Sequence, residues 1–145
     1  MKRCDGLAPL SREHHAALVL AKTLTAAHSG HGSDAGLLAA VLLRFDRELE
    51  PHFRVEEQAL LPLLEAAGEI ELVARTLREH AELRDLIRRI RAGDAACLHR
   101  FGAKLDAHVR FEERALFAVA ERVLAPEALA RVADRATHPR MASQP

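Results

Sequence analysis

Residues His52-Phe53-Arg54-Val55-Glu56-Glu57-Gln58-Ala59-Leu60-Leu61 return further along the chain as His108-Val109-Arg110-Phe111-Glu112-Glu113-Arg114-Ala115-Leu116-Phe117. His, Arg, Glu, Glu, Ala and Leu match position for position; the remaining positions exchange apolar for apolar or polar for polar. On a helix, a His and a Glu four residues apart stand one above the other on the same face. Each copy therefore offers an imidazole nitrogen and a carboxylate oxygen to one point in space. Two such copies facing each other across a helical bundle would chelate a pair of metal ions.

The repeat is wider than these stretches. Upstream of the first copy lies Arg12-Glu13-His14, and upstream of the second lies Arg78-Glu79-His80. Aligning the triplets also matches Leu20 with Leu86, Ala21 with Ile87 and Leu24 with Ile90. The chain thus reads as two helix pairs, each carrying a lone His and then a His-x-x-x-Glu. In an antiparallel bundle the halves meet about a pseudo-two-fold axis, and His14, His52, Glu56, His80, His108 and Glu112 converge. His15 is the alternative to His14. It pairs Leu18 with Leu83, but it brings Lys22 toward the core, whereas His14 shares the stripe of Leu10, Leu18 and Ala21.

Apolar periodicity and helix punctuation supply the frame. Residues 1–10 read as an unstructured lead-in, Ser11 as an N-cap, and residues 12–28 as helix A. A break rich in Gly and cap formers follows at residues 29–34. Helix B is expected over residues 34–67 with Gly68 as its stop, helix C from 69 or 70 to 92 with Gly93 as its stop, and helix D from an Asp94 cap to 124. Inner stripes are expected through Ala59 and Leu63 on B, Leu77 and His80 on C, and Ala115 and Val119 on D. Pro51 and Pro62 fall inside B and are expected to disturb it. Pro126 opens a short fifth helix at 127–135. The expectation is all-α: one domain over residues 1–145, an up-down-up-down four-helix bundle with a core over about 10–124, a short C-terminal fifth helix, and a tail over 136–145.

Totals narrow the function. Hydrophobic residues are 49% and charged residues 29%, ordinary for a soluble globular protein, while zero net charge leaves no electrostatic footprint for nucleic acid. The longest apolar run, residues 36–43, is too short to span a membrane, and no apolar segment follows the basic start as in a signal peptide. Cys4 and Cys97 are too few for a disulfide framework. A cytoplasmic protein is expected.

A lone inward His, or one His-x-x-x-Glu, is usually a hydrogen-bonded core residue or a solvated pair. Four His and two Glu on inward faces are different, because burying them is costly without compensation, and metal ions provide it. Imidazole with carboxylate suits iron, manganese or zinc, and the lack of thiolates argues against a structural zinc site. Three His/Glu ligands per ion leave open positions, which on iron invite O2, peroxide or NO. Glu57 and Glu113 also repeat, about 100° round the helix, and are expected to be solvated or to contact the ligands. His28, His31, His99 and His138, with Arg54 and Arg110, are expected at the surface.

Arg12-Glu13-His14-His15, Glu50-Pro51-His52 through Leu61-Pro62, Arg78-Glu79-His80-Ala81-Glu82-Leu83 and His108-Val109-Arg110-Phe111-Glu112-Glu113 together resemble the hemerythrin-like, or HHE cation-binding, family. The match runs over roughly residues 10–122. The resemblance implies a four-helix bundle around an oxo- or hydroxo-bridged non-haem di-iron centre. Glu56 and Glu112 would bridge the irons, and His14, His52, His80 and His108 would be terminal ligands. Oxygen-carrying members have a further His one turn before the helix C ligand; here that position is Thr76. The four-His, two-Glu set is more like the di-iron proteins that handle NO or repair iron centres, whose N-terminal cysteine-containing domain is not expected here. The resemblance implies binding or sensing of O2, NO or iron, with a separate protein partner for any signalling output. The alternative is a redox enzyme acting on peroxide, O2 or NO. With no Tyr in the chain, that enzyme could not use a tyrosyl radical.

Overall fold

The computed structural model describes residues 3–26 and 34–138. His28 and His31 lie outside them. The described residues form five helices and no strand. We name them α1 (Ala8–Ala26), α2 (residues 34–66), α3 (Ile70–Arg91), α4 (residues 97–123) and α5 (Pro126–Thr137). Helix α1 packs along α4, α4 along α3 and α3 along α2, while α5 lies across α1 and the middle of α2. No helix among the described residues is long and apolar enough to cross a membrane.

The two glycine stops do what their position demands. Gly68 and Gly93 take φ of 93° and 98°, and the residue after each donates its N–H back to the helix, Glu69 to the Leu64 carbonyl and Asp94 to that of Arg89. Gly102 serves a different purpose. A Cβ there would stand 2.7 Å from the Leu24 Cβ and 3.0 Å from the Ala21 carbonyl oxygen, so its bareness lets α1 and α4 approach closely.

Three π-helical turns interrupt the long helices, at Phe45–Leu49 and Glu56–Leu60 in α2 and at Glu112–Leu116 in α4. Pro51 and Pro62 each sit just past one of them, at the first positions of the next α-helical stretch. There the widened turn absorbs the missing N–H and the ring, so the chain continues as helix. The turn at Glu112–Leu116 has no proline, so proline is not its cause. A π turn inserts one residue, which advances every later side chain by about 100°. The expected inner residues Ala59, Leu63, Ala115 and Val119 are accordingly only half-buried, and Leu60, Leu61, Leu64, Leu116, Phe117 and Ala120 are the buried ones. On α3 the inward residue is Thr76, not Leu77, which is 45% exposed.

The N-terminal expectation also needs correction. Residues 3–10 are ordered: a turn over Cys4–Leu7 leads into a helix that starts at Ala8, and Leu7 and Leu10 are fully buried. Ser11 lies inside this helix and caps nothing; its hydroxyl donates to Glu113. Helix α4 begins at Cys97, with the Asp94 carboxylate accepting from the Ala96 N–H in the turn before it. Helix α5 continues through Thr137, and its Leu129, Val132 and Ala136 join the core.

Two apolar layers fill the bundle. One holds Leu24, Phe45, Phe53, Ile87, Ile90 and Phe101, the other Leu7, Leu10, Leu64, Val73, Phe117 and Val132. Along α1 the sequence of buried residues is Leu10, His14, Ala17, so the polar layer falls between the two.

Candidate metal centre

The buried polar and charged side chains among the described residues are His14, His52, Glu56, Thr76, His80, His108 and Glu112. Except for Thr76, whose hydroxyl donates to the Leu72 carbonyl, they are the six residues singled out from the sequence. All six come together. His15, the alternative, points outward and is exposed.

The six form two groups that share both carboxylates: His14, His52, Glu56 and Glu112 in one, and His80, His108, Glu56 and Glu112 in the other. Each carboxylate divides its oxygens between the groups. Glu56 Oε2 lies 3.0 Å from His52 Nε2, and its Oε1 lies 3.0 Å from His80 Nε2. Glu112 Oε1 lies 2.8 Å from His14 Nε2, and its Oε2 lies 3.1 Å from His108 Nε2. The His14 and His52 Nε2 atoms face each other at 3.1 Å. Ligand atoms about 2.1 Å from one ion lie about 3 Å apart when they meet at right angles. These separations are those of a coordination shell.

Hydrogen-bond accounting points the same way. Both Glu56 oxygens, Glu112 Oε2, His80 Nε2 and His108 Nε2 are buried without a hydrogen-bond partner. Orphaned groups of this kind cost about 1–3 kcal/mol each, more when charged. A cation between them would satisfy them all, so the residues fit a metal.

The other imidazole nitrogen of each His is held by a carboxylate outside the cluster. His52 Nδ1–H donates to Glu13 at 2.7 Å, His14 to Glu113 at 2.6 Å, His80 to Glu57 at 2.6 Å and His108 to Glu79 at 2.7 Å. With the proton on Nδ1, the lone pair of Nε2 points inward. The pairing interlocks the halves, since His14 takes its carboxylate from α4 and His80 takes its own from α2.

The electrostatics follow. Burial lowers the proton affinity of His80, but the Glu112 and Glu56 carboxylates facing its Nε2 and the hydrogen bond to Glu57 outweigh it and push the pKa to about 11. Burial is likewise outweighed at His108, where the Glu112 charge and the hydrogen bond to Glu79 push the pKa up to about 9. His52 and His14 are also raised against their burial, the first by the charge of Glu56, the second by hydrogen bonds to Glu112 and Glu113. Glu112 is held well below the ordinary carboxylate range, its burial overcome by His108, His14 and His52. A metal ion held by these groups would take the place of their protons.

Comparison with family models matches the hemerythrin HHE cation-binding domain over residues 5–120. The chain belongs to the hemerythrin HHE family. Comparison with curated proteins and with solved structures found no match. Its buried His/Glu groups make this hemerythrin HHE domain a metal-binding protein in design, with donors present for the family's cation.

A cleft of about 440 Å³ reaches the centre from one side. His14, His52 and His108 lie at its floor, apolar side chains such as Leu20, Phe53 and Val109 line its walls, and Arg12 and Arg47 stand at its exposed rim.

Sequence reasoning left Glu13 and Glu79 unassigned. Their signal was the duplicated Arg-Glu-His triplet, which repeats the Glu as faithfully as the His. Glu57 and Glu113 contact His80 and His14 and are not merely solvated. Arg54 and Arg110 pair with Glu50 and Asp106 one turn back on their own helices. His99 and His138 are exposed; Cys97 is buried, with Sγ 3.4 Å from Asp94 Oδ2.

Proposed function

We propose that the protein holds two non-haem iron ions, one on His14 and His52 and one on His80 and His108, bridged by Glu56 and Glu112. It uses this centre to bind or sense O2, NO or iron. The observation that carries the reading is the division of each buried carboxylate, one oxygen toward each histidine pair. Manganese or zinc would suit the same donors. Iron supplies reversible redox chemistry at its open positions. The chain's own part is to hold Nε2 lone pairs inward, to bond each Nδ1–H to a carboxylate, and to pack an apolar layer on either side of the centre. A cytoplasmic location agrees with cysteines that stay reduced there.

A redox enzyme acting on peroxide, O2 or NO is the second reading, favoured by the cleft that leads from solvent to His14 and His52. The deciding experiment is metal analysis of anaerobically purified protein, with optical spectra before and after O2. About two irons per chain and a new ligand-to-iron absorption band on exposure support the proposal. Lack of iron together with an unchanged spectrum refutes both readings. Turnover of H2O2 or NO well above free iron selects the enzyme.

A further inference from the structure

We infer that the cleft between α1 and α2 is a binding site for an organic monocarboxylate with an apolar body. It deepens the metal-centre reading in what the molecule meets at the floor, but the cleft itself does not depend on it.

The duplication provides an internal control. The surface between α3 and α4 in the second half corresponds to the cleft in the first. Its groove is lined by Arg78, Arg100 and Leu86, the counterparts of Arg12, Arg44 and Leu20 in the cleft. Yet no histidine lines that groove. Particular exchanges separate the two. Where the first half has Val55, the second has Phe111, which lies beside His108 with ring centroids 6.4 Å apart. Where the first half has Pro9, the second has Arg75, whose guanidinium covers the Phe111 ring at 3.9 Å. Where the first has Ala16, the second has Glu82, bound to Lys104 at 2.6 Å across the groove. Pro9, Ala16 and Val55 all line the open cleft. Smaller side chains at these three places leave a cleft down to His14 and His52; a stacked ring and an ion pair close the corresponding surface of the second half.

Size and charge name the occupant. A diatomic needs little more than the share of one water, about 30 Å³, whereas organic ligands occupy pockets of roughly 300–1,000 Å³. At about 440 Å³ the cleft belongs with the latter. Its walls are mostly apolar. At its rim, Glu48 is bound by Arg44 and Glu13 is bound to His52, which leaves Arg12 and Arg47 with no carboxylate partner among the described residues. An apolar cleft with cations at its mouth suits a chain that ends in one carboxylate.

The test uses the full chain loaded with zinc, which is diamagnetic and inert to redox change, titrated with octanoate by calorimetry. Acetate and octanol serve as controls for the apolar body and the charge. One octanoate binds per chain, and both controls bind at least about tenfold more weakly. The exposed pair R12E/R47E weakens octanoate about tenfold or more with melting temperature and zinc content unchanged, and Ala16→Phe abolishes binding by filling the wall. No saturable binding at millimolar octanoate overturns the inference, as does equal binding by R12E/R47E. A chain that takes up no metal refutes the proposed function instead, and octanoate titration of that same chain still decides the cleft.

Discussion

Glu57→Gln tests whether the carboxylates behind the histidines hold the centre together. Glu57 Oε2 accepts from His80 Nδ1 at 2.6 Å and from Arg84 Nη1 at 2.8 Å, while Arg84 Nη2 reaches Oε1 at 3.2 Å. Arg84 is itself anchored on Glu50 at 2.8 and 2.9 Å. The carboxylate is buried enough to feel all three; burial raises its proton affinity, but His80 and Arg84 outweigh that and hold its pKa low. An amide has one oxygen and one NH2 group, so it must turn a donor toward either His80 or Arg84. In either orientation the imidazole loses its charged partner or that partner loses its grip on Arg84, a change that costs about 10–100-fold in metal affinity, which is about 1.4–2.7 kcal/mol. Glu13→Gln is the matched control. Glu13 also holds a ligand histidine, but its side chain is 44% exposed and nothing among the described residues grips its second oxygen. Its amide oxygen can take over the one bond, and water screens the lost charge, so affinity should fall only a few-fold. Zinc affinity is measured by competition with a chromophoric chelator, alongside melts of the metal-free variants to separate binding from folding. Wild-type affinity in Glu57→Gln, or an equal loss in Glu13→Gln, would refute the reasoning.

Three further outcomes are expected. Glu56→Ala or Glu112→Ala removes a carboxylate shared by both histidine pairs, so either variant loses both ions by metal analysis and melts below the wild-type holoprotein; two irons retained in either contradicts the bridging assignment. In the metal-free protein, imidazolium contacts stabilise the fold fully below the unfolded value of about 6.5 and are lost as pH rises through about 9 for His108 and about 11 for His80. Its denaturation midpoint therefore falls from pH 7 to pH 10, and metal loading at pH 7 in weak buffer releases protons, read by a pH-stat; a flat midpoint and no release would be inconsistent with those contacts. Gly102→Ala forces a Cβ to within 2.7 Å of Leu24 and should cost about 1–3 kcal/mol in chemical denaturation, and an unchanged midpoint would mean that α1 and α4 separate freely.

The six-residue cluster was legible because each His-x-x-x-Glu ends where a π turn begins. His52 and Glu56 are four apart on continuous α-helix, as are His108 and Glu112, so simple periodicity places them correctly. A π turn begins at each Glu, and beyond it the same periodicity is one residue out of step, at Leu63 against Leu64 and at Val119 against Ala120. Nothing in a propensity scale marks those turns; prolines follow two of the three, and the third has none. The N-terminal segment was missed for another reason. Leu7 and Leu10 are buried in a cluster with residues of α2, α3, α4 and α5, long-range contacts that local pattern does not register. The cleft was invisible because it depends on what the repeat lacks, and Pro9, Ala16 and Val55 announce nothing on their own.

The carboxylates behind the histidines make the centre span the whole chain and not two separate halves. Glu57 and Glu113 lie about 100° round the helix from Glu56 and Glu112, as Glu13 and Glu79 do from His14 and His80. Glu57 and Glu113 stand at the second residue of each π turn, and from there each reaches the lone histidine of the other half, Glu57 to His80 and Glu113 to His14. Glu13 and Glu79 bind within their own halves, to His52 and His108. Every histidine pair therefore has one imidazole oriented from inside its half and one from across the bundle. A single half would have its His-x-x-x-Glu oriented but its lone His unsupported and only one of the two shared carboxylates. Assembly of all four long helices is thus a precondition for a complete shell, and metal binding reports on the whole bundle.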